Sequence, residues 1–217
     1  MPPVARPISQ PIAFLSDVHG NLEALEAVLA ELAQRAVVDV CVTGDHLLGG
    51  AEPVDVWRRL QHIGARCTQG PSDLALAAIA PGSLPPGQDA GRAEAFAETH
   101  EAIGELIRKQ LSELPHHLRL PMIDGREVLM VHGSPADALT SMSDDMSDEE
   151  LDALIADDPA DIIICGGSHV PFARTVAGIE VYNAGSVGQA PEGRFAHFLV
   201  VSPKVNGADV YQGYAEY

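Results

Sequence analysis

The chain has 217 residues, of which 46% are hydrophobic, and its formal net charge at pH 7 is −18. This length suits one sizeable hydrophobic core, so a single domain over residues 1–217 is the economical expectation. The acidic charge argues against nonspecific binding to nucleic acid or to an anionic membrane, because both depend on basic side chains that contact phosphate. A phosphate-bearing substrate would therefore need local positive charge.

Cysteine usage and the N-terminal segment indicate the compartment. Cys41, Cys67 and Cys165 lie in or beside apolar runs without the spacing of zinc ligands, and their odd number argues against a disulfide framework. Buried thiols in the reducing cytoplasm are the leading interpretation. Residues 1–10 are rich in proline and have no continuous apolar core, so we expect a flexible tail and neither a signal peptide nor a membrane anchor.

Strands and helices alternate in the first half of the chain. The apolar run Ile12–Leu15 predicts a strand buried on both faces, and Asn21 can cap the helix that follows. Proline and glycine mark a loop before a long helical pattern that Pro115 ends. The predicted elements are strands over 12–15, 37–42 and 65–68, helices over 22–32, 53–63 and 92–114, and a loop over 80–88.

The second half is richer in strands. Asp124-Gly125 predicts a hairpin turn, and Ser147 with Glu150 fits a capping box at the start of a short helix. Another hairpin turn is expected at Ala177-Gly178. The predicted strands cover 118–123, 127–131, 162–165, 195–201 and 205–211.

Polar, titratable residues follow the predicted strands. In open α/β sheets the carboxyl ends of strands collect at one edge, where ligands bind. Each residue alone could be a helix cap, a turn residue or a loop histidine, but together they favour a site. Mixed Asp and His ligands without cysteine suit Mn, Fe, Zn, Co or Ni. They fit these metals better than they fit a soft thiolate metal site or an all-oxygen calcium site. The residues are Asp17, His19, Asp45, Asp73, His132 and His169.

The motifs around these residues resemble the calcineurin-like metallophosphoesterases, and in particular their small bacterial phosphodiesterase-like branch. The resemblance implies a four-layer αββα sandwich, in which helices flank two mixed β-sheets. It also implies hydrolysis of a phosphodiester or phosphomonoester through a metal-activated water. The matching segments are Asp17-Val18-His19-Gly20-Asn21, Gly44-Asp45, Val131-His132-Gly133-Ser134-Pro135, His169-Val170-Pro171 and Asn183-Ala184-Gly185-Ser186-Val187-Gly188.

The resemblance also implies a ligand set for one or two divalent ions, with Mn²⁺ as the first candidate and Fe, Zn, Ni or Co as alternatives. One ion would be held by Asp17, His19, Asp45 and His169. The second would share Asp45 and would add His132. The substrate would be a small phosphoester.

Three positions depart from the family pattern and affect the second ion and the catalytic acid. Pro71 stands where the family has a ligand Asn, Gly167 where it has a ligand His, and Ser72 where it has the catalytic His. Ser72 could form hydrogen bonds but could not titrate usefully. His46 could replace a lost nitrogen ligand or acid, although a place beside the centre or on the surface is the leading interpretation, because adjacent residues usually point apart.

Two functions therefore remain open at the level of sequence. The first is a metal-dependent phosphoesterase that works with one ion or with weak activity. The alternative is a catalytically degenerate protein that keeps this fold to bind a ligand or a partner. The oligomeric state and the physiological substrate are not encoded in these patterns.

Overall fold

The computed structural model describes residues 7–79 and 90–217. Residues 1–6 of the expected tail and the loop predicted over 80–88 lie outside the described residues. In chain order the elements are β1 (Ile12–Leu15), α1 (Leu22–Gln34), β2 (Asp39–Val42), α2 (Pro53–His62), β3 (Arg66–Cys67), α3 (Pro71–Ala78), α4 (Ala90–Ser112), β4 (His117–Pro121), β5 (Glu127–Val131), α5 (Asp148–Ile155), β6 (Ile162–Cys165), β7 (Phe172–Val176), β8 (Ile179–Asn183), β9 (Phe195–Lys204) and β10 (Gly207–Glu216).

The described strands form two mixed sheets of five strands each. The first has the order β10-β9-β1-β2-β3, in which β1 is parallel to β2 and antiparallel to β9. The second has the order β4-β5-β6-β8-β7, in which β5, β6 and β8 are parallel. The hairpins predicted at Asp124-Gly125 and Ala177-Gly178 join β4 to β5 and β7 to β8.

Three apolar clusters separate four layers. Helices α1 to α4 cover the outer face of the first sheet, where residues such as Leu25 and Val56 are buried. Between the sheets, Phe14 packs in one cluster with Met130 and other strand residues. Helix α5 covers the outer face of the second sheet through Leu151 and its neighbours. Since burying one such side chain contributes about 1.5–3 kcal/mol, these clusters stabilise the expected αββα sandwich, which is confirmed.

Two helices differ from the predicted pattern. Helix α3 was not predicted; it begins at Pro71, where the missing N–H of proline is harmless in a first helical turn, and Asp73 accepts a hydrogen bond from the Gly70 N–H at 2.9 Å. The single long helix predicted over 92–114 is interrupted within α4 at Gly104, whose φ of 66° is open to glycine because it has no Cβ. No helix among the described residues is long and apolar enough to cross a membrane.

The chain is already anchored to the second sheet ahead of β1. The Ile8 N–H donates to the Pro121 carbonyl at 2.7 Å, and Ile8 pairs with Met122 as an isolated bridge. The Ile8 side chain is buried in the layer between the sheets. At Ile8 the chain is therefore held by these contacts, and the flexible tail stays a prediction for residues 1–6.

Candidate metal centre

The candidate site lies where strands of both sheets end. Asp17 and His19 follow β1, Asp45 follows β2, His132 directly follows β5, and His169 follows β6. Because β1 with β2 and β5 with β6 are parallel pairs, the carboxyl ends of each pair lie together. The structure brings all five residues together into two groups that share one member.

The backbone at four of these residues adopts a conformation that side chains rarely take. The φ angles of Asp17, His19, Asp45 and His169 are 54°, 51°, 53° and 63°. Such left-handed conformations cost on the order of 1–3 kcal/mol each for non-glycine residues and persist where the surroundings impose them, often at functional sites. Because four such residues lie in one centre, the surrounding fold must stabilise backbone conformations that are locally unfavourable.

The first group consists of Asp17, His19 and His169, whose nearest ligand atoms lie within 4.8 Å of one another. His169 Nε2 is 3.1 Å from Asp17 Oδ1 and 3.2 Å from His19 Nε2. The opposite ring nitrogens contact backbone carbonyls: His19 Nδ1 is 2.8 Å from Leu48 O, and His169 Nδ1 is 3.1 Å from Gln189 O. These contacts orient both rings so that their Nε2 atoms face the carboxylate.

The second group consists of Asp17, Asp45 and His132. His132 Nε2 lies 3.9 Å from Asp17 Oδ1 and 3.7 Å from Asp45 Oδ2. The other oxygen, Asp45 Oδ1, accepts the Ser72 N–H at 2.9 Å. The residue common to both groups is therefore Asp17, whereas the family resemblance assigns the shared role to Asp45.

The environment of Asp17 tests whether these residues fit a cation. Asp17 Oδ2 accepts hydrogen bonds from the Ser16 hydroxyl and the Gly167 N–H, whereas the buried Oδ1 has no partner with hydrogen-bond geometry. Burial alone would raise the pKa of Asp17, but interactions with His169, His19 and His132 hold it well below its ordinary value. A buried, ionised oxygen that faces three imidazole Nε2 atoms fits a divalent metal ion.

Asp73 anchors the loop that carries Asp45. Its carboxylate accepts the backbone N–H groups of Asp45 at 2.8 Å, His46 at 3.1 Å and Gly70 at 2.9 Å. Asp73 follows a strand, as the sequence indicated, but it belongs to neither ligand group. Its position three residues after Gly70, with Pro71 at the first helical position, is the sequence signal for this role.

His46 points away from both ligand groups into the core. It is fully buried, its Nδ1 is 2.8 Å from Asp73 Oδ2, and its ring packs edge-on against Trp57. Burial would lower the pKa of His46, but the Asp73 carboxylate raises it well above its ordinary value. The geometry favours His46 as a support beneath Asp45 over the replacement ligand or acid considered from the sequence.

The two departures on α3 lie beside the second group. Pro71 is the first residue of the helix, and its side chain has no donor atom. Ser72 supplies its N–H to Asp45, while its buried hydroxyl has no hydrogen-bond partner among the described residues. At these two positions α3 therefore offers the centre a backbone N–H contact and one hydroxyl without a partner among the described residues.

The third departure, Gly167, lies between the two groups. Its N–H donates to Asp17, and its φ is 76°. A Cβ at this position would overlap the hydroxyl of Ser141 and would lie 3.1 Å from His132 Nε2. The space next to the second group that a side chain at 167 would occupy is thus taken by a residue from another loop.

The glycine-rich segment 183–188 holds the backbone of Asp17. The Ser186 hydroxyl and the Gly188 N–H both donate to the Asp17 carbonyl at 2.9 Å. A Cβ on Gly188 would overlap the Val18 carbonyl, so only glycine permits this close approach. The structural role expected for this segment agrees with these contacts.

A cleft of about 330 Å³ opens beside the centre and is lined by His19 itself together with polar and glycine residues. Another cleft, of about 390 Å³, includes Leu129 and Val131 of the outer cluster on the second sheet, and none of the five candidate ligands lines it. Space for a substrate therefore lies next to the first group.

Comparison with known proteins places the chain in a family. Residues 11–205 match the calcineurin-like phosphoesterase superfamily domain. Protein MJ0912 of Methanocaldococcus jannaschii, whose function is uncharacterized, is 28% identical over 199 residues, which cover 84% of this chain and 78% of that protein.

Two solved structures share the fold. The hypothetical protein PH1004 from Pyrococcus horikoshii OT3 superposes with a TM-score of 0.82 at 21% identity, covering 95% of this chain and 88% of that chain. A metallophosphoesterase from Sphaerobacter thermophilus superposes with a TM-score of 0.78 at 23% identity, covering 97% and 89%. At these identities the likeness concerns the fold alone.

The fold and the two candidate ligand groups are those expected of the class of metal-dependent phosphoesterases. With its family match over most of its length, the chain belongs to the calcineurin-like phosphoesterase superfamily.

Proposed function

We propose that the protein hydrolyses a small phosphodiester or phosphomonoester in a reaction that needs one or two divalent transition-metal ions, with Mn²⁺ as the first candidate before Fe, Zn, Ni or Co. The observation that carries this proposal is the buried Asp17 Oδ1, which has no hydrogen-bond partner and faces His19, His132 and His169. When bound, such an ion polarises a phosphoryl oxygen and lowers the pKa of water.

The residues of this chain have separable tasks in that reaction. Asp17 and Asp45 supply the negative charge that holds a cation, and the three imidazoles supply neutral nitrogen ligands. Backbone carbonyls orient His19 and His169, and Asp73 holds the backbone of Asp45. The cleft that His19 lines provides room for a substrate beside the first group.

The replacement of the family's catalytic histidine by Ser72 restricts the substrate. A serine hydroxyl cannot donate a proton at neutral pH as an imidazolium does, and loss of a general acid costs about 10²–10⁴-fold in rate. We therefore expect esters with acidic leaving groups, such as nitrophenol, to react much faster than alkyl esters. Ser72→His should raise the rate on alkyl esters more than on nitrophenyl esters.

The experiment that tests the proposal is hydrolysis of bis(4-nitrophenyl) phosphate by the purified protein with added Mn²⁺. Asp45→Asn removes a charge from the second group and should abolish turnover. Asp39→Asn, an exposed aspartate at the start of β2, is the matched control and should leave it unchanged. A folded protein that binds Mn²⁺ but hydrolyses neither this diester nor a panel of monoesters would refute the proposal.

A second candidate is a non-catalytic relative that keeps the centre to bind a ligand or a partner. The specific observation in its favour is that Pro71 and Gly167 provide no ligand atoms and Ser72 provides no acid. In that case Pro71→Asn with Ser72→His should create activity from an inactive background. Rapid turnover by the unaltered protein would eliminate this candidate.

We also propose that the protein works in the cytoplasm. The support is chemical: Cys41, Cys67 and Cys165 are free, and burial raises the pKa of both Cys41 and Cys165 to about 12. Buried thiols of this kind are chemically inert. The argument for a reducing compartment therefore depends on Cys67, which is only half-buried. Immunolocalisation of the tagged protein tests this placement.

A further inference from the structure

The loop before α5 places a serine hydroxyl at the second group. Ser141 Oγ and His132 Nε2 both lie within 3.1 Å of the point where a Cβ on residue 167 would stand. Both atoms therefore face the space that Gly167 leaves open, and Ser141 occupies part of it.

The position of Ser141 is held by its neighbour in the chain. Met142 is fully buried, and its carbonyl accepts a hydrogen bond from Asn183 Nδ2, which also donates to the Gly166 carbonyl at 2.8 Å. Asn183 thus ties the serine loop to the segment that carries Gly167. The placement of Ser141 follows from this shared anchor.

The Ser141 hydroxyl is available for a further contact. The structure records no hydrogen bond for it within residues 7–79 and 90–217, although the side chain is half-buried. By contrast, Ser143, two residues further along the same loop, donates its hydroxyl to Asp145. A half-buried hydroxyl without a partner, which faces the same space as the His132 imidazole, can supply an oxygen donor to a cation site.

We propose that Ser141 contributes its hydroxyl oxygen to the cation held by Asp17, Asp45 and His132, in place of the imidazole that the family carries at position 167. This inference rests on the proposed metal-dependent function. With Ser141 included, the second group has three residues that donate oxygen and one that donates nitrogen. The first group has two residues that donate nitrogen and one that donates oxygen. Oxygen donors suit Mn²⁺ and Mg²⁺, and imidazoles suit Zn²⁺.

Calorimetric titration of metal-free protein with Mn²⁺ tests the proposal without any measurement of turnover. The unaltered protein should bind two ions with different affinities. Ser141→Ala should weaken the second event by about 10–100-fold or more, since even partners one shell further out have effects of this size. Ser143→Ala is the matched control and should leave both events unchanged.

A second variant distinguishes coordination from a merely structural effect. Ser141→Cys, kept reduced, should convert the second group into a site that prefers Cd²⁺ or Zn²⁺ over Mn²⁺, because a thiolate is a soft ligand. Two bound Mn²⁺ ions with unchanged affinity in Ser141→Ala, and no gain of Cd²⁺ affinity in Ser141→Cys, would overturn the role of Ser141 alone. Absence of any bound ion in the unaltered protein would overturn the proposed function as well.

Discussion

The two ligand groups share Asp17 but are built in different ways. In the first group both histidines have their rings held by backbone carbonyls, from Leu48 and Gln189. In the second group the Nδ1 atom of His132 is buried without a hydrogen-bond partner. The first group is therefore oriented by fixed backbone contacts, whereas the second depends on what α3 and the Ser141 loop place beside it. Such preorganisation by neighbouring contacts normally raises metal affinity.

The largest effect is expected from Asp17→Asn, because Asp17 belongs to both groups. The amide cannot supply the negative charge that its three histidine neighbours and a cation require, so both binding events and turnover should be lost. Calorimetry with Mn²⁺ and with Zn²⁺ measures the binding. Asp39→Asn serves as the exposed control, and retention of either ion at full affinity would contradict the shared role of Asp17.

The next largest effect is expected from Asp73, whose carboxylate anchors the loop that carries Asp45. Asp73→Asn breaks a fully buried pair with His46 and removes acceptors from backbone N–H groups, which should lower the free energy of unfolding by about 3–5 kcal/mol. Urea unfolding measures this loss. Asp152→Asn, at an exposed position of α5, should change it by less than about 0.5 kcal/mol. A comparably small loss in Asp73→Asn would show that the anchor is dispensable.

Single histidine variants sharpen the difference in metal preference. His19→Ala removes a nitrogen from the first group and should weaken Zn²⁺ binding more than Mn²⁺ binding, by about 10-fold or more. His132→Ala leaves the first group intact, so one tightly bound Zn²⁺ should remain. Competition titrations between the two metals measure both effects. If the two variants lose the same metal to the same extent, the groups do not differ in preference.

The smallest effect is a pH dependence of stability from the His46–Asp73 pair. The pKa of His46 is raised above its ordinary 6.5, so its contribution is fully present below pH 6.5 and is lost as the pH rises through the folded-state pKa. The pKa of Asp73 is lowered from its ordinary 3.8, so its contribution is present above pH 3.8 and is lost as the pH falls through the folded-state pKa.

The pair therefore stabilises the protein most between pH 3.8 and 6.5. Above pH 6.5 the free energy of unfolding should fall by at most about 1.4 kcal/mol for each pH unit. Urea unfolding at a series of pH values measures this slope. His46→Gln should flatten it, and an unchanged slope in that variant would assign the pH dependence to other groups.

Much of the fold could be predicted because its signals are local. The apolar run of β1 and the turns at Asp124-Gly125 and Ala177-Gly178 depend on residues that are adjacent in the chain. Helix α3 was missed because Pro71 and Gly70 resemble a loop until Asp73 closes the first turn. The break in α4 was missed because a single glycine in a helical pattern does not reveal its φ angle.

The sequence predicted which residues form the candidate site but not how they are arranged in it. The strand-end positions of Asp17, His19, Asp45, His132 and His169 led to five residues that the structure places together, and their role as ligands stays a prediction for the experiments above. By distance the structure groups them around Asp17, whereas the family resemblance implies that two ions share Asp45; which residue the ions share stays a prediction. The direction in which His46 points was also beyond the sequence, because an extended backbone sends neighbouring side chains to opposite sides without indicating which side is the core.

By itself, the sequence determined the order of strands and loops and the chemical types at their ends, because these follow from hydrophobic periodicity and short motifs. Only the tertiary structure decided that Asp73 and His46 support Asp45 from below, and that Ser141 fills the space beside Gly167. These contacts join residues that are distant in the chain, and their geometry depends on how two sheets and their loops pack together. Local patterns carry no information about such distances.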